Sequence, residues 1–120
     1  MFGQTISKVD NKKRLYLSPK TGREEGDIVY LVYDKAINEY KLVPGAVIET
    51  EFNRYKNSID SAKTTLELKR YKLLLNAFSS SIIKMCKVDK QGRVLLCDDF
   101  EKEETVNIIG TGEHLVIKKK

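Results

Sequence analysis

Lys8-Val9-Asp10-Asn11-Lys12-Lys13-Arg14-Leu15-Tyr16-Leu17 returns in the second half of the chain as Lys87-Val88-Asp89-Lys90-Gln91-Gly92-Arg93-Val94-Leu95-Leu96. The shared core is Lys-Val-Asp, three variable residues, Arg, an apolar residue, any residue, Leu. Self-similarity of this kind marks a duplicated structural unit, and it organises the rest of the chain. In both copies the Asp closes one short strand and the Arg opens the next, so each stretch predicts two strands joined by a tight charged turn. Gly92 precedes Arg93 and tolerates a positive φ. The equivalent Lys13 does so only at a cost of about 1–2 kcal/mol, so the first turn is expected to differ in shape from the second.

Further outward the correspondence continues. Gly26–Tyr33 and Glu104–Ile109 read as strands, each meeting a turn (Lys35–Asn38 and Gly110–Gly112) and then a short closing strand (Glu39–Val43 and His114–Ile117). Between the repeats the period changes to that of a helix. Pro44-Gly45 opens a first helix over about Ala46–Asn57, with Val47, Ile48, Phe52 and Tyr55 as its apolar stripe. Asp60 or Ser61 is positioned to cap a second, over about Lys63–Ser79. There Leu68, Tyr71, Leu75 and Phe78 share one face and Leu66, Leu73, Leu74 and Ala77 lie beside it, which predicts packing on two sides. The expected organisation is one domain over 1–120, with repeat 1 at about 1–43, a helical segment at about 44–80 and repeat 2 at about 81–117; Lys118–Lys120 reads as a frayed end. Its fold class is α+β.

Composition bounds the function less tightly than pattern does. With 41% hydrophobic and 32% charged residues and two prolines in 120, the chain has the makeup of a folded globular domain. A net charge of +5 favours an anionic partner, and the excess is concentrated in the repeats. Six cations against the single anion Asp10 lie between Lys8 and Arg23, and four against Asp89 between Lys84 and Arg93. Acidic residues follow each cluster, so a solvated mixed-charge face explains the charge alone equally well.

The chemistry of the turn separates these readings. An Asp at a strand end accepts hydrogen bonds from backbone N–H groups of the turn that follows. Its carboxylate can also hold the Arg four residues on, leaving other guanidinium donors free for a phosphate or a guanine edge. One such spacing is what any surface hairpin with a salt bridge would carry. Two copies in the same strand context, each inside a basic cluster, favour recognition of a polyanion.

With these motifs in view the chain resembles the MraZ family of two-repeat, AbrB-like transcriptional regulators. The resemblance rests on Met1-Phe2-Gly3, the two Asp-x-x-x-Arg copies, Leu17-Ser18-Pro19 and Leu73-Leu74-Leu75-Asn76-Ala77, and it spans Met1 to about Ile117. The second repeat departs from it at Cys97-Asp98-Asp99, where a proline-containing turn is usual. The resemblance implies interleaved (swapped) hairpins from two AbrB-like halves forming a closed β core, and helices that assemble copies into a homo-oligomeric ring. It also implies sequence-specific binding of short direct repeats in double-stranded DNA upstream of a cell-division and cell-wall operon, hence a cytoplasmic, nucleoid-associated protein. Arg14 and Arg93 match the family's motif as contacts to bases or phosphates, with Asp10 and Asp89 setting the turns. On charge, Lys8, Lys12, Lys13, Lys87 and Lys90 are added as phosphate contacts, and Gly92 as a turn-shaping residue.

Other classes fit less well. His114 has no nucleophile partner on its predicted strand, and no phosphate loop or metal spacing occurs, so no enzyme, metal or cofactor is expected. Cys86 and Cys97 read as buried free thiols. The N-terminus lacks an apolar signal segment, and the longest apolar run, Ile28–Tyr33, is far short of the roughly 20 residues of a membrane span. Six tyrosines offer stacking surfaces for single-stranded RNA, yet their spacing fits strand positions better. The main rival is an oligomeric scaffold or antitoxin-like protein of the same fold, in which DNA contact is weak or lost.

Overall fold

Among the described residues eight strands and two α-helices follow one another as β1 (Phe2–Lys8), β2 (Arg14–Tyr16), β3 (Ile28–Asp34), β4 (Glu39–Pro44), α1 (Gly45–Asp60), α2 (Thr65–Ser81), β5 (Ile82–Lys87), β6 (Arg93–Leu95), β7 (Thr105–Thr111) and β8 (Leu115–Lys119). The computed structural model describes residues 2–119, with Phe2 and Lys20 described by their backbone alone. Met1 of the N-terminal string and Lys120 of the basic tail lie outside the described residues. Both repeats therefore have the same strand–turn–strand–connector–hairpin order, as the duplicated sequence predicts, and the connector of the first holds only a short 3-10 turn at Pro19–Thr21.

Strands of the two repeats choose each other as partners. β1 pairs antiparallel with β7, β5 with β3, and β2 with β6, while the hairpins β3–β4 and β7–β8 meet along β4–β8. The six-stranded order β1-β7-β8-β4-β3-β5 maps onto itself when the repeats are exchanged, so a local dyad runs between β4 and β8. Backbone bonds outside the ladders obey the same symmetry. Val9 N–H donates to Glu104 O (2.8 Å) and Glu103 N–H to Val9 O (2.8 Å); in the other repeat Val88 N–H donates to Asp27 O and Gly26 N–H to Val88 O (both 2.9 Å).

The expected closed β core is not what the pairing forms. β1 and β5 are the open ends of the six-stranded sheet, and β2–β6 is a separate two-stranded ladder. The turns after β1 and β5 redirect the chain, so that the three-residue strands β2 and β6 satisfy each other and leave the outer edges of β1 and β5 without a third strand. The architecture is an α+β fold with an antiparallel sheet, a short second ladder and two helices.

Alternation explains the core. Leu15 and Val94, the central residues of β2 and β6, turn inward and join Val9, Leu17, Val88, Leu96, Leu31, Leu42, Val106, Ile108, Leu115, Ile117 and Phe100, all essentially removed from solvent. The helices contribute little to it. Ile48 is the buried residue of α1 and α2 has none, because the two helices pack mainly on each other, Phe78 contacting the rings of Phe52 (5.1 Å) and Tyr55 (5.5 Å). The protruding helical hairpin accounts for the elongated outline of 50 × 24 × 24 Å.

Helix boundaries correct two details of the sequence reading. α1 runs through Asp60 and α2 is capped by Thr64, not by Asp60 or Ser61. Thr64 Oγ1 accepts from Glu67 N–H (3.1 Å), and Glu67 Oε2 accepts from Lys63 N–H (3.0 Å), a reciprocal cap that supplies two otherwise orphaned donors with acceptors. The second apolar side of α2 is open, with Leu66 and Leu73 about 70% exposed, where packing on two sides was expected. Among the described residues no helix is long and apolar enough to cross a membrane.

Candidate nucleic-acid interface

Each Asp builds its own turn. Asp10 Oδ1 accepts from the N–H groups of Lys12 (2.9 Å) and Arg14 (2.8 Å), and Oδ2 accepts from Arg14 Nε (2.8 Å). Asp89 repeats the pattern with Gln91 N–H (2.9 Å), Arg93 N–H (2.8 Å) and Arg93 Nε (3.1 Å). Both carboxyls are held below the ordinary carboxylate range, chiefly by the backbone N–H of the Arg four residues on and then by the second backbone donor and the guanidinium. They stay ionised at neutral pH, which keeps the guanidinium clamped through Nε.

The turns also match in backbone shape, contrary to the expectation from Lys13. Lys13 has φ 61° and Gly92 φ 78°, the same left-handed conformation. Closure of the ladder imposes it: Leu96 N–H donates to Lys13 O (2.9 Å) as Leu17 N–H donates to Gly92 O (2.8 Å), and Lys13 N–H is fixed by Asp10 O (3.0 Å). The two hydrogen bonds on Lys13 that need this geometry offset a strain of about 1–2 kcal/mol.

Pairing of β2 with β6 brings the two motifs together. Their register sets Arg14 opposite Leu95, Leu15 opposite Val94 and Tyr16 opposite Arg93. Arg93 Nη1 lies 3.9 Å from Asp10 Oδ2, so the carboxylate of the first repeat faces the guanidinium of both. Arg14 and Arg93 are half-buried, and with Leu15 and Val94 pointing into the core, both arginines lie on the outer face of the ladder.

The lysines divide into two groups. Lys13 is engaged by Asp98 (3.2 Å) and Lys8 by Glu103 (3.9 Å), so part of the charge assigned to these two is answered inside the chain. Lys12 and Lys90 in the turns and Lys87 at the end of β5 are exposed and form no ion pair among the described residues. Two residues outside the sequence candidates share the arginines' face: Tyr16 and Leu95, 45% and 50% exposed. Strand alternation is the signal that identifies them, since each stands two residues after its Arg.

Residues set aside in the sequence have ordinary places. Cys86 is buried and Cys97 half-buried, both free, with burial pushing both thiols up. His114 lies just before β8, its pKa lowered by burial and by nearby Lys41. Among the described residues no group of three or more His, Cys, Asp or Glu is placed to hold a metal ion. No protein-family model matches the chain, and no curated protein matches it.

Proposed function

We propose that the chain is a sequence-specific DNA-binding transcriptional regulator of the MraZ type, an AbrB-like two-repeat protein that presents its paired Asp-x-x-x-Arg turns to the duplex. The observation that carries this reading is the convergence of the two clamps on one outward face, with Arg93 Nη1 3.9 Å from Asp10 Oδ2. Exchange of strand partners between the repeats supports the AbrB-like kinship. A two-stranded ladder is an element that the major groove admits, and a guanidinium held through Nε keeps its terminal nitrogens for a guanine edge or a phosphate. Lys12, Lys87 and Lys90 supply phosphate contacts, with Lys8 and Lys13 secondary because acids answer them. The resemblance extends the proposal to short direct repeats upstream of a cell-division and cell-wall operon, to nucleoid association, and to a homo-oligomer that adds weak contacts by avidity.

The test is fluorescence anisotropy with duplex DNA from upstream of the chain's own gene, across a salt series. Affinity is expected to fall steeply with salt, and Arg14→Ala and Arg93→Ala each to cost about 1–3 kcal/mol. Variants that bind like the wild type would remove both arginines from recognition and with them the proposal.

A second reading, an oligomeric interaction protein, has its own observation. The open side of α2, with Leu66 and Leu73, lies beside a groove of about 520 Å³ lined by Val32, Tyr33, Tyr55, Leu74, Ala77 and Phe78. Self-association without any DNA affinity would favour it.

A further inference from the structure

The local dyad makes the two arginines equivalent but leaves their neighbours unequal. It passes between Leu15 and Val94, so that Arg14 corresponds to Arg93 and Tyr16 to Leu95. On the outer face each arginine therefore has a different cross-strand companion: Leu95 beside Arg14, Tyr16 beside Arg93. Both companions stand out of the core, and neither is needed to fill it. Tyr16 also lies next to the second turn, where a Cβ built on Gly92 would stand 3.4 Å from its Cε1.

Resting on the DNA-binding reading above, we propose that Tyr16 and Leu95 are specificity-determining residues that make the ribbon read a non-palindromic element. Base edges in the major groove differ in donors, acceptors and the thymine methyl group. Leu95 has only methyl groups to offer and suits a thymine methyl beside the base pair read by Arg14. Tyr16 adds a hydroxyl that both donates and accepts, and suits a polar edge beside the base pair read by Arg93. Two arginines alone, related by a dyad, would select an inverted repeat. The unequal companions give the element a direction.

The experiment selects binding sites from a randomised duplex pool with the full chain, using wild type, Tyr16→Leu, Leu95→Ala and the exchange Tyr16→Leu/Leu95→Tyr. Wild type is expected to enrich an asymmetric element. Tyr16→Leu, which gives both arginines a leucine companion, shifts the selection toward an inverted repeat and lowers affinity for the wild-type element about tenfold. Leu95→Ala relaxes the preference on the other side, and the exchange reverses the element's direction. Affinity for unrelated duplex and the salt slope stay unchanged, because no phosphate contact is removed. Both side chains are solvent-facing, and circular-dichroism melts verify folding.

If wild type enriches an element that Arg14→Ala no longer binds, while the Tyr16 and Leu95 variants select the same element at wild-type affinity, this inference is overturned and the DNA-binding reading stands. If wild type enriches nothing, both fall.

Discussion

The turn at Asp10–Arg14 and the turn at Asp89–Arg93 reach one geometry from different residues. In each, the carboxylate accepts two backbone N–H groups and one guanidinium N–H, and the residue before Arg is left-handed. The second turn uses glycine for that conformation; the first uses Lys13. The reverse holds one connector further on, where Gly26 (φ 88°) of the first repeat corresponds to Glu103 (φ 66°) of the second. Each repeat thus carries one strained residue and one glycine at the equivalent places. Local preference has been overridden by the ladder that joins the halves, so strain at these positions measures how strongly the interleaved pairing holds.

Breaking the pair at the dyad has the largest expected effect. Leu15→Ala empties a fully buried position and is expected to cost about 2–5 kcal/mol in chemical denaturation, with Val94→Ala costing less because fewer carbon atoms are removed. An equal cost would mean that the structure around Val94 relaxes less than that around Leu15.

Acid sharpens the comparison between the clamps. Both aspartates have folded pKa values below their ordinary value of 3.8, so their contribution is fully present above that value and is lost as pH falls through the lowered folded values. The melting temperature is expected to drop on that limb. Asp10→Asn is expected to flatten the limb more than Asp89→Asn, since Asp10 faces both arginines. Identical limbs would show that the cross-repeat contact contributes nothing.

Exchanging the strained residue is the mildest test. Gly92→Lys is expected to cost about 1–2 kcal/mol for its left-handed backbone. Its Cβ would also stand 3.2 Å from Leu17 O. Lys13→Gly is expected to shift stability by less than about 1 kcal/mol, relief of strain being offset by the lost Asp98 pair and by glycine's greater freedom when unfolded. A large loss for Lys13→Gly would contradict the presence of strain there.

The Lys-Val-Asp-x-x-x-Arg repeat made both turns, their Asp–Arg clamps and the strands around them legible, because each is a local arrangement within five residues. The apolar periodicity likewise revealed two helices. It did not reveal that Thr64 caps α2, since Asp60, Ser61 and Thr64 are all competent caps and the length of α1 decides among them. Lys8 and Lys13 looked as free as Lys12 and Lys90, for Asp98 and Glu103 are distant in sequence and arrive only with the fold. Tyr16 and Leu95 were legible in principle, by alternation from the arginines, but only with β2 and β6 known to pair edge to edge with a shared core face.

By itself the sequence determined the duplicated chemistry: two acids, two guanidiniums and the spacing that lets each acid close its turn. Tertiary structure decided that the duplicates meet, that Lys13 accepts a glycine's conformation, and that β1 and β5 remain the open edges of the sheet. The reason is physical. Turn hydrogen bonds act over a few residues, whereas strand partnership between repeats is chosen by which register buries Leu15, Val94 and their neighbours together, a property of the whole chain.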